Sequence, residues 1–258
     1  MRSGGSRFLK GADVLKGIIL AGGTGSRLRP LTNVTNKHLL PIYDKPMIFY
    51  PLETLKGAGI KDIMIITGTS HAGDIFALMG SGKNFGVKFT YRVQDEAGGI
   101  PHAIALAEDF AGNDKFVSIN GDNIVSESIK QQVEEFGKGS EEARIMLAKT
   151  TVEEARKAGV AAFDGEKIVK LVEKPQEPPS EWVSIGIYMY TKSVFGIIRN
   201  LKPSARGELE ITDVNNEYLR RGTLKAGKLK EEWLDAGSFE ELFRANRIIR
   251  ERTKWKNE

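Results

Sequence analysis

The stretch Leu15–Pro41, LKGIILAGGTGSRLRPLTNVTNKHLLP, constrains this chain more than any other. Its apolar run Gly17-Ile18-Ile19-Leu20 lacks polar alternation, as a strand buried on both faces of a parallel sheet requires. Glycines at 22, 23 and 25 follow at once. A strand that runs into glycines presents bare backbone N–H groups to an anion, and Arg27, Arg29 and Lys37 add positive charge. Strand, loop and cations describe a place to hold a polyphosphate; a tight reversal loop with a solvated arginine is the alternative reading. The dinucleotide fingerprint is not matched, because Leu28 stands where its third glycine belongs, and no Gly-Lys-Ser/Thr follows the loop. Pro30 keeps a helix from springing directly from the loop, which must then wrap phosphates rather than aim a helix dipole at them.

Downstream, strands and helices alternate. Lys45-Pro46-Met47 is expected to open a helix closed by Gly57 and Gly59, with Ile48, Leu52 and Leu55 on its apolar face. Asp62–Thr67 reads as a second buried strand, Ala72–Met79 as a helix stopped by Gly80, Val87–Val93 as a strand, Ile100–Phe110 as a helix and Lys115–Asn120 as a strand. Beyond Ile124 the expected elements are a helix over 127–136, a strand over 143–149, a hairpin turning at Asp164-Gly165, a strand over 182–190, a helix over 211–221 with Thr212 as its cap, and a final helix over 238–252. Ser238 and Glu241 make a capping box for that last helix. The pattern predicts an α/β fold: a single Rossmann-like domain with a mixed, mainly parallel central sheet and helices on both faces. No repeat or linker divides residues 15–258, which read as one domain whose pattern changes after about residue 125. Ligands in such sheets bind at the carboxyl ends of the strands, here near Leu20, Val93 and Asn120.

Composition removes several kinds of chemistry. The chain has no Cys, hence no thiolate metal site or Cys nucleophile, and its three His, at 38, 71 and 102, are scattered. A net charge of +4 without a basic run or a nucleic-acid motif gives no reason to expect a nucleic-acid partner. Residues 1–14, Gly/Ser-rich and basic, read as a disordered extension or an expression remnant without the apolar segment of a signal peptide. No apolar run is long enough for a bilayer, so the expectation is a cytoplasmic protein with no membrane partner.

Two acids end strands at glycine turns: Asp122 in Gly121-Asp122-Asn123 and Asp235 in Leu234-Asp235-Ala236-Gly237. Each can hold a cation that bridges to phosphate or can simply shape its turn. Glu173-Lys174-Pro175 reads by itself as an exposed ion pair, Arg206 as a loop arginine paired with Glu208 or Glu210, and Tyr188 as core.

GIILAGGTGSRLRP, Lys37 in NKHLLP, and KPMIFYPL together resemble the signature of the sugar-1-phosphate nucleotidylyltransferases, within that family the glucose-1-phosphate thymidylyltransferases, over about Lys16 to Ile249. The resemblance implies the nucleotide-diphospho-sugar transferase type of fold, with a nucleotide half over about 15–125 and a sugar half over about 126–258. It also implies transfer of a thymidylyl group from dTTP to glucose 1-phosphate, giving dTDP-glucose and pyrophosphate, with Mg²⁺ as cofactor and a homo-oligomeric assembly. Arg27, Lys37 and Asp122 would then be catalytic, with Asp122 and Asp235 holding the metal. Leu20, Gly22, Gly23, Thr24 and Gly25 would hold the nucleotide, while Gln94 and Gly99 would meet its base, a side-chain amide matching a pyrimidine edge. Gly159, Glu173, Lys174, Tyr188 and Arg206 would take the sugar phosphate. No covalent nucleophile is needed, in keeping with the lack of a Ser/His or Cys/His constellation. The family often has Pro and Ser after the Gln, and Gln at the positions of His38 and His102; Asp95, Glu96 and Gly98 also depart from its pattern. These departures surround the base pocket and leave UTP-dependent or dual-specificity transfer open. A non-catalytic sugar-nucleotide sensor is the alternative of another class, and the presence of Arg27, Lys37, Asp122, Lys174 and Asp235 counts against it.

Overall fold

The apolar runs assemble into one continuous sheet. The computed structural model describes residues 15–257; the expected extension over 1–14 lies outside them. In chain order the strands are β1 Lys16–Ala21, β2 Pro41–Ile42, β3 Lys45–Pro46, β4 Asp62–Gly68, β5 Lys88–Gln94, β6 Phe116–Asn120, β7 Asn123–Val125, β8 Ala143–Lys149, β9 Gly159–Asp164, β10 Lys167–Glu173, β11 Trp182–Tyr190, β12 Leu224–Lys228 and β13 Trp233–Asp235. The helices are α1 Phe49–Gly57, α2 Ala72–Met79, α3 Gly99–Ala105, α4 Glu108–Ala111, α5 Lys130–Lys138, α6 Val152–Ala155, α7 Ser193–Ile198, α8 Ile211–Arg221 and α9 Phe239–Asn257. Nine strands share a sheet in the order β10-β9-β11-β6-β1-β4-β5, with β8 paired to both β11 and β12. Strands β6, β1, β4 and β5 are parallel, whereas β11 runs antiparallel to β6, β8 and β9. The mixed sheet expected from the sequence is thus present, its parallel pairs drawn mostly from the first half of the chain and its antiparallel pairs from the second.

Strand β1 shows why the fold has two covered faces. Ile19 and Ala21 enter a core with α1 and α5, whose Leu52, Leu55 and Phe136 pack there. Ile18 and Leu20 enter the opposite core with α3 and α8, through Ile104, Ile211 and Val214. Burying such an isoleucine is worth about 1.5–3 kcal/mol relative to leaving it exposed. A third, smaller cluster joins Leu28, Ile42, Met47, Ile124, Leu234 and Ala245, and so fastens α9 to the loop after β1. None of the described helices is long and apolar enough to cross a membrane.

Several boundaries differ from the sequence expectation. Lys45-Pro46 does not open a helix: it pairs as β3 with β2, Ile42 opposite Lys45, and α1 begins at Phe49. Tyr50 is the reason, since its hydroxyl donates to Ile42 O at 2.9 Å and Lys45 Nζ sits 4.2 Å from its ring centroid. The helix expected over 100–110 is two short helices that break at Leu106-Ala107, and the helix expected from Glu127 starts at Lys130. Glu127 instead accepts the Lys230 backbone N–H at 2.7 Å. Thr212 does not cap α8; its hydroxyl donates to Glu173 Oε2 at 2.5 Å. The Asp164-Gly165 hairpin, strand 182–190 and helix 211–221 stand where the spacing put them, and Ser238 with Glu241 makes the expected start of α9.

The sheet is split at one residue. Along one edge, β11 pairs with β6 from Ile187 to Tyr190 and with β9 at Val183, and the ladder to β8 shifts between Ser184 and Tyr188. Gly186 lies in this gap with φ +73°, and a side-chain carbon there would fall 2.3 Å from Asn120 Nδ2. The split opens a cleft beside the carboxyl end of β6. Gly186→Ala therefore meets both left-handed backbone strain of about 1–2 kcal/mol and a clash. The expected result is a lower melting temperature, because Asn120 must move into the cleft while the backbone is strained; thermal melting of the variant checks it.

Candidate active site

The glycine loop after β1 is shaped by its neighbours. Gly25 takes φ +63°, and its carbonyl accepts the Thr32 hydroxyl at 2.8 Å and the Leu28 N–H at 2.9 Å. Gly25 thus serves the turn, while Gly22, Gly23 and Thr24 line two adjoining cavities of about 470 and 300 Å³. Three short 3-10 turns, at Ser26–Leu28, Leu31–Asn33 and Lys37–Leu39, replace the helix that Pro30 disfavours. The last is capped by Asn36, whose carbonyl oxygen accepts both the backbone N–H of His38 and, at 2.7 Å, its Nδ1–H. Lys37 leaves this turn, passes Gly23 and reaches Asp122.

Asp122 and Asp235 meet because β7 and β13 pair, setting Asp235 opposite Asn123. Lys37 Nζ lies 2.5 Å from Asp122 Oδ2, both side chains nearly buried. Burial works against the Asp122 charge, but the Lys37 ammonium outweighs it and holds the carboxyl down at about 2. Burial and then the neighbouring Asp122 carboxylate push Asp235 up to about 7. His38, buried below Gly121, is pushed down to about 3 by burial and then by Lys37, so it stands neutral beside the pair. Arg27 Nη2 and Asp235 Oδ1 both crowd Gly237, where a side-chain carbon would meet them at 2.8 and 2.9 Å. Asp235 Oδ1 is buried with no hydrogen-bond partner among the described residues.

That orphaned oxygen tests whether a divalent cation fits. Among the described residues no group of three or more His, Cys, Asp or Glu side chains is positioned as a metal cage. Two carboxylates, one with an unpaired buried oxygen, fit Mg²⁺, which keeps waters and takes substrate phosphate oxygens rather than an all-protein cage.

On one side of this charged centre stands Gln94, at the end of β5 and 7% exposed, lining both glycine-loop cavities. Leu20 and Gly99 line the smaller of them. Gly99 has φ +88°, and its open face is already filled by the Leu209 carbonyl, 2.3 Å from where a side chain would begin. Its close approach is thus to that strap of chain. On the other side, a cavity of about 270 Å³ is lined by Gly159, Glu173, Lys174, Tyr188 and Arg206, and also by Arg27, Asp122 and Asp235. The sequence listed these in separate motifs; the fold brings them to one wall. Lys174 has φ +42°, a strained value for a residue with a side chain. Arg206 bridges two carboxylates, with Nη2 2.6 Å from Glu210 and 3.2 Å from Glu173, so the pairing expected of a loop arginine and the place beside the cavity hold together. Tyr188 is 3% exposed and stacked on Tyr190, with its hydroxyl pushed up to about 12 by burial. It is core and cavity wall at once.

Asn120, Trp233 and Lys157 also line this cavity; the sequence marked Asn120 only as a strand end and did not mark the other two. Asn120 carries a signal in its place at a strand end. Trp233 carries none, and reaches the centre by donating its indole N–H to Asn123 Oδ1 at 3.3 Å.

The nucleotidyl transferase family matches residues 16–252. A glucose-1-phosphate thymidylyltransferase of Neisseria meningitidis is 40% identical over 239 residues, 91% of this chain and 82% of its own length. A low-salt glycan biosynthesis nucleotidyltransferase of Haloferax volcanii is 41% identical, over 92% of this chain and 66% of its own. Among solved structures, a Bacillus anthracis chain described as a glucose-1-phosphate thymidylyltransferase, in complex with sucrose, superposes with a TM-score of 0.86 at 53% identity, covering 91% of this chain and 94% of that one. A UDP-glucose pyrophosphorylase complexed with UDP-glucose superposes at 0.81 with 27% identity, over 93% and 99% of the two chains.

Proposed function

The chain belongs to the nucleotidyl transferase family, as a sugar-1-phosphate nucleotidyltransferase closely related to glucose-1-phosphate thymidylyltransferases, and from that premise we propose that it transfers a thymidylyl group from dTTP to glucose 1-phosphate. One observation carries the reading. Arg27, Lys37, Asp122 and Asp235 stand at the junction of a cavity bearing the glycine loop and Gln94 with a cavity bearing Glu173, Lys174 and Arg206.

In this reading a sugar phosphate oxygen attacks the α-phosphorus in line and pyrophosphate leaves. The attacking phosphate is already ionised near neutral pH, so positioning and charge stabilisation do most of the work. Gly22, Gly23 and Thr24 receive the triphosphate while Gln94 meets the base. Lys37 offers a point charge to the α-phosphate, and Arg27 a planar fork to phosphate oxygens. Lys174 and Arg206 hold the sugar phosphate, and Glu173 accepts sugar hydroxyls. Asp122 and Asp235 would hold Mg²⁺, which when bound neutralises charge on the phosphate oxygens. Arg206 must release one of its two glutamates to take a phosphate, and Glu173 is thereby freed for a hydroxyl.

Lys174→Gln and Arg206→Gln test the sugar side. Each is expected to raise the KM for glucose 1-phosphate by roughly 10- to 100-fold, the loss of a charge-assisted contact, with the KM for dTTP nearly unchanged. A rise in the dTTP constant instead would reverse the assignment of the two cavities. The nucleotide side is tested by supplying equal dTTP and UTP and weighing the product by mass spectrometry: dTDP-glucose is expected to dominate, and equal UDP-glucose would establish dual specificity.

A further inference from the structure

Asn120 ends β6 and lines both the cavity of Gln94 and the cavity that bears Glu173, Lys174 and Arg206. Its Oδ1 is buried with no hydrogen-bond partner among the described residues. Its polar neighbours are already engaged. Ser118, two residues earlier on the same face of β6, donates its hydroxyl to Tyr188 O at 3.4 Å. Asn123 donates to Ile185 O and accepts the Trp233 indole N–H. A buried polar atom left unpaired carries a desolvation penalty and calls for an explanation. The backbone across the cleft is also cut to admit this amide. Gly186 on β11 takes φ +73°, and a side-chain carbon there would fall 2.3 Å from Asn120 Nδ2 and 2.7 Å from its Cγ. Residue 186 must therefore lack a side chain for the amide to lie where it does. Gly186 lines the cavity of Glu173.

We propose that Asn120 is a specificity-determining residue that hydrogen-bonds a hydroxyl of the hexose, at the edge of the sugar opposite Glu173. This rests on the reading that the cavity of Glu173, Lys174 and Arg206 takes a sugar 1-phosphate. The sheet order β10-β9-β11-β6 sets the two groups apart. Glu173 ends β10 and Asn120 ends β6, and between them stand Gly159 on β9 and Gly186 on β11, both without side chains. A sugar ring over the two glycines meets a carboxylate at one edge and an amide at the other. The orientation of the amide does not decide the matter. Half a rotation exchanges its N–H and carbonyl ends, but a sugar hydroxyl both donates and accepts, so it pairs with whichever end lies over Gly186. A sugar that lacks this hydroxyl leaves the amide unpaired, and a site built to bond a hydroxyl rejects such an analogue more strongly than apolar contact does. Asn120 also borders the cavity of Gln94, where the pentose of a nucleotide offers the same chemistry. Its approach to Gly186 assigns it to the hexose.

The test is a double-mutant cycle between the amide and the sugar, read as kcat/KM of the intact chain with Mg²⁺ and dTTP. Glucose 1-phosphate is compared with its 2-, 3-, 4- and 6-deoxy analogues in the wild type and in Asn120→Leu, which keeps the branched shape and has no polar end. Any general damage to the site cancels within each protein. One analogue is expected to fall about tenfold further below glucose 1-phosphate in the wild type than in the variant, the scale of one hydrogen bond, while the others fall alike in both. Asn120→Ala removes the amide without adding bulk. It is expected to give the same result and stands in if the leucine variant does not fold. Equal losses for every analogue in wild type and variant overturn the proposal. So does coupling to the 3′-deoxy analogue of dTTP with none to the sugar series, which would give the amide to the pentose. A folded wild type that turns over no member of the glucose series fails the reading beneath the proposal, for that distinct reason.

Discussion

Asp122→Asn is expected to lower turnover by a factor on the order of 10²–10³, the scale of removing one preorganised electrostatic group. Two losses combine. The substitution takes away one of the two carboxylates that fit a divalent cation, and it leaves Lys37 without the charge that now lies 2.5 Å from its ammonium. Lys37 is nearly buried, so its charge has little water to turn to. The amide keeps the shape of the side chain, and the backbone contacts of the turn remain, including the Gly121 N–H donated to Leu20 O at 2.9 Å. The folded state should therefore survive, with a melting temperature lowered by the stranding of Lys37. Rapid-quench or steady-state kinetics at saturating substrates read the effect. Turnover near the wild-type value would remove Asp122 from the chemistry and leave it as a turn residue.

The second large effect is on stability and lies far from the cleft. Arg144 and Glu141 are each 5% exposed. Arg144 donates through Nη2 to Glu141 at 2.7 Å and through Nη1 to the half-exposed Glu135 at 2.6 Å, while Lys225 Nζ approaches Glu141 at 3.3 Å. Breaking a buried pair by removing one partner costs about 3–5 kcal/mol, and Lys225 moderates the loss here, so Arg144→Met is expected to cost about 3 kcal/mol. For a chain of this size that is a fall in Tm of roughly 6–12 °C. The double variant Arg144→Met/Glu141→Gln should recover much of it, because no charge is left stranded. The pH dependence has a definite sign. Burial opposes the Glu141 charge, but hydrogen bonds from Arg144 outweigh it and hold the carboxyl below its ordinary 4.5. A carboxyl whose folded value is depressed stabilises the fold above its unfolded value, and that contribution is lost as pH falls through the folded one. The wild type should therefore lose this increment as pH drops below about 4.5, while the double variant should not. Melting curves at pH 7 and pH 3 of the three proteins decide the matter.

The sequence made the framework legible where a period was long enough to be seen. β11 and α8 carry enough residues for alternation or a helical stripe to show, and both stand at the expected bounds. The glycine loop was legible because few residue types tolerate such a turn. The meeting of Asp122 and Asp235 was implied by the family resemblance alone and by no local pattern, since it depends on β7 and β13, three residues each, which have no periodic signal. Lys45-Pro46 misled for a related reason. A proline at an apparent helix start is also at home at a strand edge, and Tyr50, four residues on, decides between the two by bonding back to Ile42. Thr212 has the right chemistry for a cap and spends its hydroxyl on Glu173 instead, a choice made by the approach of β10 to α8. The contact of His102 with Gln94 likewise depends on how α3 packs under the loop at 95–99, which no local pattern records.

The most direct test of the central claim is pyrophosphate release by the purified chain with Mg²⁺, dTTP and glucose 1-phosphate, each omitted in turn. The account predicts rapid release only when both substrates are present, since the sugar phosphate is the attacking group and no covalent enzyme intermediate is formed. Release from dTTP without the sugar phosphate, or no release from folded protein with the complete mixture, would contradict it.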